Sequence, residues 1–165
     1  TKILYDQVAN VSHATEIKNE EINPLYFMQV YHEMERADYL NRLPKLENLE
    51  SEANNGFAKE YVPLSVLVSE FETIIKSTVD NNKMIFNGNN QYEITDPSII
   101  YFDKHSIGIM APLLKSIKGK RVVFKLNGEN IFNTTNKNIS KIEADFNDGL
   151  GFRTLNKNSE VIVNY

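Results

Sequence analysis

Short apolar segments separated by Asn-rich breaks fill most of the second half of the chain, and this spacing constrains the fold more than any other feature. The breaks lie at Asn81-Asn82, Asn87 to Asn90, Asn127-Gly128 and Asn147 to Gly149. Asn and Gly tolerate positive φ and suit exposed turns, whereas the β-branched and aromatic segments between them suit strands. Short strands at this spacing are typical of β-sandwiches and barrels.

The connections between these segments are too short for crossover helices, so an antiparallel β core is expected from residue 62 onward. Leu64, Val66 and Val68 alternate with their neighbours as in a strand, and a helix through Ile75 is the competing interpretation. The further predicted strands are Tyr92–Thr95, Ile99–Phe102, Ile107–Ala111, Arg121–Leu126, Ile139–Phe146, Phe152–Leu155 and Glu160–Tyr165.

A single amphipathic helix is predicted over residues 24–42. Asn23-Pro24 has the pattern of an N-cap followed by Pro at the first helical position, where the missing N–H costs nothing. Pro44 is expected to end the helix. Apolar residues recur at spacings of three and four, which places them on one face: Phe27, Val30, Tyr31, Met34 and Ala37, with Leu40 just beyond.

The polar, acidic stretch 45–60 contains a predicted break at Asn54-Asn55-Gly56, and we interpret it as a short helix or a loop joining two parts. The sequence therefore predicts an α+β protein. A helical N-terminal part, residues 1–61, packs on a mainly antiparallel, immunoglobulin-like β-sandwich, residues 62–165, which we expect either to be cut short at its C-terminus or to close with a different strand arrangement. Residues 2–18 show only a weak apolar alternation and are predicted to be an extended lead-in or a short helix.

Composition excludes several classes of function. The net charge of -4 and the pI near 5.4 offer no basic surface for nucleic acid. The apolar segments are far shorter than the roughly 20 residues of a membrane-spanning helix, so no span is predicted. The chain has no Cys, which excludes disulfides and thiolate zinc sites. It opens at Thr1 without Met or a leader, which predicts a cut after a signal peptide or at a domain boundary.

No catalytic motif is present. His32-Glu33 begins like a zinc-binding H-E-x-x-H helix, but Arg36 stands where the second His is needed. His13 and His105 lack metal-ligand spacing and are expected to have structural roles. The sequence also contains neither a Gly-x-Ser-x-Gly elbow nor a Gly-rich phosphate loop, so no catalytic residue and no bound nucleotide is predicted.

The segment from Asp145 to Gly151 is the most distinctive in the chain. Two carboxylates, Asp145 and Asp148, flank an amide and precede two glycines, a combination that can supply oxygen ligands to calcium in a tight turn. The segment lacks the alternating acidic residues and the closing Glu of an EF-hand. A hairpin turn between two strands is the favoured interpretation, and calcium binding by these two residues is the alternative.

Aromatic residues offer a second candidate, a glycan site. The residues concerned are Tyr92, Tyr101, Phe102 and Phe152. Aromatic side chains in β domains are more often part of the core, and the core is the favoured interpretation here.

Residues 121–165 resemble a PKD-type (polycystic-kidney-disease-like) module with an immunoglobulin fold. The resemblance rests on Val122-Val123-Phe124, on Ile142 to Gly149 and on Val161 to Tyr165, with Ala144 and Asn147 at the positions where such modules usually have Trp and Gly. The Asp-Gly-x-Gly-Phe hairpin and the Asn-rich style also look like secreted multidomain proteins of the Bacteroidetes. This resemblance implies export and a role in adhesion, spacing or substrate presentation, and it carries no catalytic residues.

We therefore expect a non-catalytic module of an exported or cell-surface bacterial protein, one domain of a larger chain that binds a protein or glycan partner or acts as a spacer. The alternative is the N-terminal portion of a secreted hydrolase whose catalytic domain lies outside this chain. A complete small enzyme is a third hypothesis, which would require a deep pocket with converging polar groups and perturbed pKa values.

Overall fold

The computed structural model describes residues 2–3, 22–38, 40–74, 81–86, 92–96 and 102–165. The helices in these ranges are α1 (Pro24–Ala37) and α2 (Leu46–Ala58), with a short 3-10 turn at Gly128–Asn130. The strands are β1 (Lys2–Ile3), β2 (Val62–Ile74), β3 (Met84–Phe86), β4 (Tyr92–Ile94), β5 (Phe102–Pro112), β6 (Arg121–Leu126), β7 (Ile131–Asn133), β8 (Glu143–Asp145), β9 (Phe152–Thr154) and β10 (Ser159–Asn164). The α+β class and the mainly antiparallel pairing are as predicted.

Helix α1 begins as the sequence predicts. The Asn23 side chain accepts a hydrogen bond from the Tyr26 backbone N–H at 2.9 Å, and Pro24 occupies the first helical position. The helix ends at Ala37, five residues before the predicted end, because the Asp38 carboxylate accepts the backbone N–H groups of Arg42 and Leu43 and turns the chain. The predicted apolar face is buried from Phe27 to Met34, whereas Leu40 lies beyond the helix and is exposed.

The predicted break at Asn54-Asn55-Gly56 is wrong, because α2 runs through it without interruption. Gly56 is buried against the start of β2, and a Cβ atom at this position would lie 2.5 Å from Cδ and Cγ of Pro63. The glycine therefore permits a close approach of helix to strand and does not mark a turn.

Strand β2 is the central element, and the competing helix interpretation is wrong for Val62–Ile74. One edge of β2 pairs antiparallel with β5, from Leu64 opposite Pro112 to Ile74 opposite Phe102. The other edge pairs in parallel with β6, β7 and β1 in turn. These short parallel pairs were not expected. The pairs with β6 and β7 need no crossover helix, because β5 carries the chain back along β2 before β6 begins, whereas α1 and α2 lie between β1 and β2.

The other predicted strands agree in part with the structure. Arg121–Leu126 has the predicted bounds, and Ile107–Ala111 forms part of the longer strand β5. The predicted strand Ile139–Phe146 shortens to Glu143–Asp145, because its partner β9 covers only that stretch. Of the predicted strand at 99–102, residues 99–101 lie outside the described part of the chain, as does most of the lead-in at 2–18.

Because β2 is buried on both faces, it separates two apolar clusters. On one face, Leu67 and Phe71 pack with the buried side of α1 and with Phe132, whose ring meets Tyr31 edge-on at 5.1 Å between centroids. On the other face, Leu64 and Val66 pack against β6, β10 and the β8–β9 hairpin through Leu126, Val163, Ala144, Phe146 and Leu155. The layers are therefore helices, main sheet and hairpin.

Buried polar contacts hold the end of α1 to this frame. The Tyr31 hydroxyl donates to the Pro44 carbonyl at 2.8 Å, and burial together with Glu35 and Asp38 raises its pKa, so it remains a neutral donor. Burial acts to raise the pKa of Asp38, but hydrogen bonds from Leu43 and Arg42 outweigh it and hold that pKa below its ordinary value. Arg42 extends this link by donating to the carbonyl of Thr134 at 3.0 Å.

Replacing Gly56 by Ala should destabilise the protein by about 1–3 kcal/mol, because the new methyl group overlaps the Pro63 ring. The same change at an unobstructed helix position stabilises by about 0.5–1 kcal/mol. Urea unfolding of Gly56→Ala, with Ser51→Ala at an exposed position of α2 as the control, measures the effect. An increase in stability for Gly56→Ala would contradict the close approach.

Replacing Asp38 by Asn should lower the free energy of unfolding at neutral pH by about 1–3 kcal/mol. Because the folded-state pKa of Asp38 is depressed, its stabilisation is present above the unfolded-state pKa of about 3.9 and is lost as pH falls through the folded value. The difference between wild type and variant should therefore shrink in acid. Urea titrations at several pH values test this, with Glu50→Gln at an exposed site as the control. An equal difference at neutral and acid pH would contradict it.

Candidate binding site at the β8–β9 hairpin

The distinctive Asp145–Gly151 segment forms the tip of a hairpin. Strands β8 and β9 pair antiparallel, with Asp145 opposite Phe152, and the loop of residues 146–151 connects them. The turn favoured by the sequence is therefore present, with a longer loop than a two-residue Asp-Gly hairpin has.

Local hydrogen bonds and positive φ angles shape the loop. Asn147, Gly149 and Gly151 have φ values of 56°, 80° and 71°, a region that Asn and Gly adopt at least cost. The Asp145 carboxylate accepts the Asn147 backbone N–H at 2.8 Å, and the Asp148 carboxylate accepts that of Leu150 at 3.2 Å. Each Asp thus closes a turn on its own backbone.

An ion pair fastens the loop to the apolar core. Nη2 of Arg153 lies 2.6 Å from Oδ2 of Asp148, whose side chain is only 4% exposed. The Arg153 guanidinium also lies over the Phe146 ring, 4.7 Å from its centroid, and that ring contacts Phe124 of β6. This chain of contacts joins the hairpin tip to the main sheet.

The last residue of the chain adds a further tie. The Tyr165 hydroxyl donates to the Phe146 carbonyl at 2.9 Å. Partial burial and the nearby Asp148 carboxylate raise the pKa of Tyr165, so the phenol stays protonated and able to donate at neutral pH. The loop is therefore held by Arg153 of β9, by Phe124 of β6 through the Phe146 ring, and by Tyr165, which follows β10.

Two large apolar side chains are exposed on this fixed hairpin. Leu150 is 72% exposed at the tip, and Phe152 is 73% exposed at the start of β9. The prediction that Phe152 belongs to the core is wrong. Side chains alternate along β9, and Arg153 takes the inward position because Asp148 and Phe146 meet it there. The side chains of Tyr92, Tyr101 and Phe102 lie outside the described part, so the predicted aromatic set stays a prediction.

The sequence did not indicate Arg153 or Leu150 as site residues. Arg153 is five positions from Asp148, a spacing that no strand or turn rule singles out, and only the folded hairpin brings the two charges together.

Among the described histidines, His105 stacks on Phe71 with ring centroids 5.1 Å apart.

The acidic residues of the loop are engaged with protein groups. Asp145 bonds to a backbone N–H, and Asp148 bonds both to a backbone N–H and to Arg153. Across the described ranges, no group of three or more His, Asp or Glu side chains is arranged to hold a metal ion. Calcium ligation by Asp145 and Asp148 stays a prediction.

A scan against protein-family models finds no matching family, and searches of curated proteins and of solved structures likewise find no similar chain. No helix in the described residues is both long and apolar enough to cross a membrane. The function is therefore inferred from the geometry of the hairpin.

Removing either partner of the Asp148–Arg153 pair should destabilise the protein by about 2–4 kcal/mol, because the remaining charge is left largely buried and unpaired. We expect Asp148→Asn and Arg153→Met to be non-additive in a double-mutant cycle measured by urea unfolding. The exposed pair Lys137–Glu70 provides the control cycle, with an expected coupling below about 1 kcal/mol. Additive effects at Asp148 and Arg153 would contradict the coupling.

Excess calcium should leave the melting temperature unchanged, because Arg153 and backbone N–H groups engage both oxygens of Asp148 and Oδ1 of Asp145. Thermal melts with calcium, with magnesium and with a chelator test this. A rise in melting temperature with calcium alone, abolished by Asp148→Asn, would show that the ion displaces Arg153 and binds the native state.

Proposed function

We propose that this chain is a non-catalytic module of an exported bacterial cell-surface protein, and that it binds a partner protein through the tip of the β8–β9 hairpin. The observation that carries the proposal is the exposure of Leu150 in the loop and Phe152 at the start of β9, on a hairpin that an ion pair, two turn hydrogen bonds and a cation–π contact hold in place.

The energetics favour binding at this tip. Burying a Leu or Phe side chain against a partner contributes about 1.5–3 kcal/mol each. A flexible loop would lose part of that gain to ordering, whereas a loop that is already fixed does not. Exposure of two large apolar side chains on a fixed loop therefore gives more net affinity than the same residues on a mobile one.

The chemistry of the two side chains points to a protein partner. Phe152 alone could stack on a sugar ring, but Leu150 presents no flat face and no hydrogen-bonding group for a glycan. A shallow apolar depression on a protein, or an apolar segment of a peptide, accommodates both. Glycan binding is the alternative, and the experiment must distinguish it from binding of a protein.

The immunoglobulin-like sandwich and the PKD-like resemblance belong to this proposal. Their support is the apolar cluster in which the β8–β9 hairpin covers the sheet face formed by β2, β6 and β10, which is a two-layer β arrangement. The same resemblance supports export and a surface location. A non-catalytic role is supported by the polar groups with shifted pKa in the described part, since each is held in a structural contact: Tyr31, Asp38, Lys45, Tyr61, Lys125 and Tyr165.

Panning a phage-displayed library of random peptides against the immobilised protein tests the proposal. We expect enrichment of peptides with apolar residues whose binding falls at least about tenfold, a change of about 1.4 kcal/mol, on Phe152→Ser and on Leu150→Ser. A parallel glycan array with the same protein should stay blank.

The chain provides matched controls. Phe57 is 71% exposed on α2, and Leu25 is exposed on α1, so Phe57→Ser and Leu25→Ser remove similar apolar area far along the sequence from the hairpin. These two variants should bind the selected peptides as wild type does. Equal losses for Phe57→Ser and Phe152→Ser, or glycan binding that depends on Phe152, would overturn the assignment of a protein partner to the hairpin.

A further inference from the structure

Strand β10 lies at an edge of the main sheet. In the described part of the chain it pairs only with β6, from Ser159 opposite Leu126 to Asn164 opposite Arg121. Its outward side chains are open to solvent, with Ile162 49% exposed and both Glu160 and Asn164 exposed. An edge strand of this kind offers its backbone groups to another strand.

The hydrogen bonds between β10 and β6 show which backbone N–H and C=O groups of β10 are left for another strand. Tyr165, opposite Lys120, donates its backbone N–H to the Lys120 carbonyl at 2.8 Å. Backbone groups alternate in direction along a strand, so Val163 and Val161 also direct theirs toward β6. Glu160, Ile162 and Asn164 therefore direct their N–H and C=O groups away from the sheet.

We propose that β10 pairs antiparallel with β10 of a second copy of this chain, about a two-fold axis at Ile162. In this register Ile162 of one copy lies opposite Ile162 of the other, and Glu160 lies opposite Asn164. In this register, each residue whose backbone N–H and C=O groups point away from β6 lies opposite another such residue, so the two strands can form antiparallel hydrogen bonds. The two main sheets join into one continuous sheet, and the interface is the same patch on both subunits.

Side-chain chemistry favours this register. An axis at Val161 would place Glu160 opposite Ile162, and an axis at Val163 would place Ile162 opposite Asn164, so in both cases the exposed apolar side chain would meet a polar one. An axis at Glu160 would place like charges opposite each other, which destabilises a strand pair. An axis at Asn164 would leave Glu160 without an opposing residue within the strand. With the axis at Ile162, two exposed apolar side chains meet, and Val161 lies opposite Val163 on the face that already packs into the core.

The strand also lacks the features that prevent edge pairing. Its sequence from Ser159 to Asn164 contains neither Pro nor Lys, and its inward-facing residues Val161 and Val163 carry no charge. Its one charged side chain, Glu160, is paired with Lys125 of β6 at 3.0 Å. That ion pair within one copy reduces the repulsion between two copies of an acidic protein.

Cross-linking through an introduced cysteine tests the register directly, because the chain has no Cys of its own. Opposing Cα atoms in a hydrogen-bonded antiparallel pair lie about 5.5 Å apart, within the range that a disulfide spans. Ile162→Cys should therefore form a disulfide-linked dimer under mild oxidation. In the Glu160→Cys variant the two introduced thiols would lie roughly 14 Å apart along the strands, so this variant on its own should form no disulfide-linked dimer.

A mixture of Glu160→Cys and Asn164→Cys proteins should form the mixed dimer, since these positions oppose each other in the proposed register. Sedimentation of the wild-type chain should show a concentration-dependent monomer–dimer equilibrium. Ile162→Pro should abolish that dimer while the melting temperature stays close to that of wild type, because the lost N–H points away from β6 and Pro is tolerated on edge strands.

Three results would overturn the proposal. One is a wild-type chain that sediments as a monomer at every concentration used for cross-linking. The second is cross-linking of Glu160→Cys at the rate of Ile162→Cys, which indicates random collision. The third is a dimer that persists in a folded Ile162→Pro variant, which places the contact elsewhere on the molecule.

Discussion

Burial of β2 on both faces is the constraint on which the rest of the structure depends. Its side chains Leu67 and Phe71 pack with the helices, and its side chains Leu64 and Val66 pack with the hairpin layer. A strand can slip in register by one residue only by exchanging its two faces, and here the exchange would disrupt two cores at once. The position of α1 and the position of the β8–β9 hairpin are therefore both set by one strand.

The proposed binding at the hairpin tip depends on how the main sheet supports the β8–β9 hairpin. The cluster behind β2 includes Phe146, and the Phe146 ring supports Arg153, which in turn holds Asp148 and the loop. An apolar tip can remain exposed in an ordered state because polar and charged contacts behind it fix the backbone. The proposed protein contact at Phe152 and the proposed strand pairing at β10 use different groups, side chains in the first case and backbone in the second.

Sequence reasoning succeeded where the determinants are local. Asn23-Pro24 specifies the start of α1 through a cap that needs no tertiary partner, and the short β-branched and aromatic segment Arg121–Leu126 specifies β6. The predictions that failed concern residues whose environment is set by contacts within the folded protein. Gly56 looks like a turn residue, but it lies within α2 at a point where Pro63 approaches too closely for any Cβ atom. Phe152 looks like a core residue, but it faces solvent because Arg153 takes the inward position. The Asp148–Arg153 ion pair that places Arg153 there cannot be predicted from the spacing of residues in the sequence.

The proposed binding requires a hairpin tip that is ordered in the free protein while its apolar side chains are exposed. Backbone ¹⁵N relaxation of residues 146–152 in the unliganded chain measures that order. We predict order parameters of about 0.85, equal to those of the paired strands β6 and β10. Values below about 0.6 across the tip would contradict the proposal, because a mobile loop could not present Leu150 and Phe152 as a preformed surface.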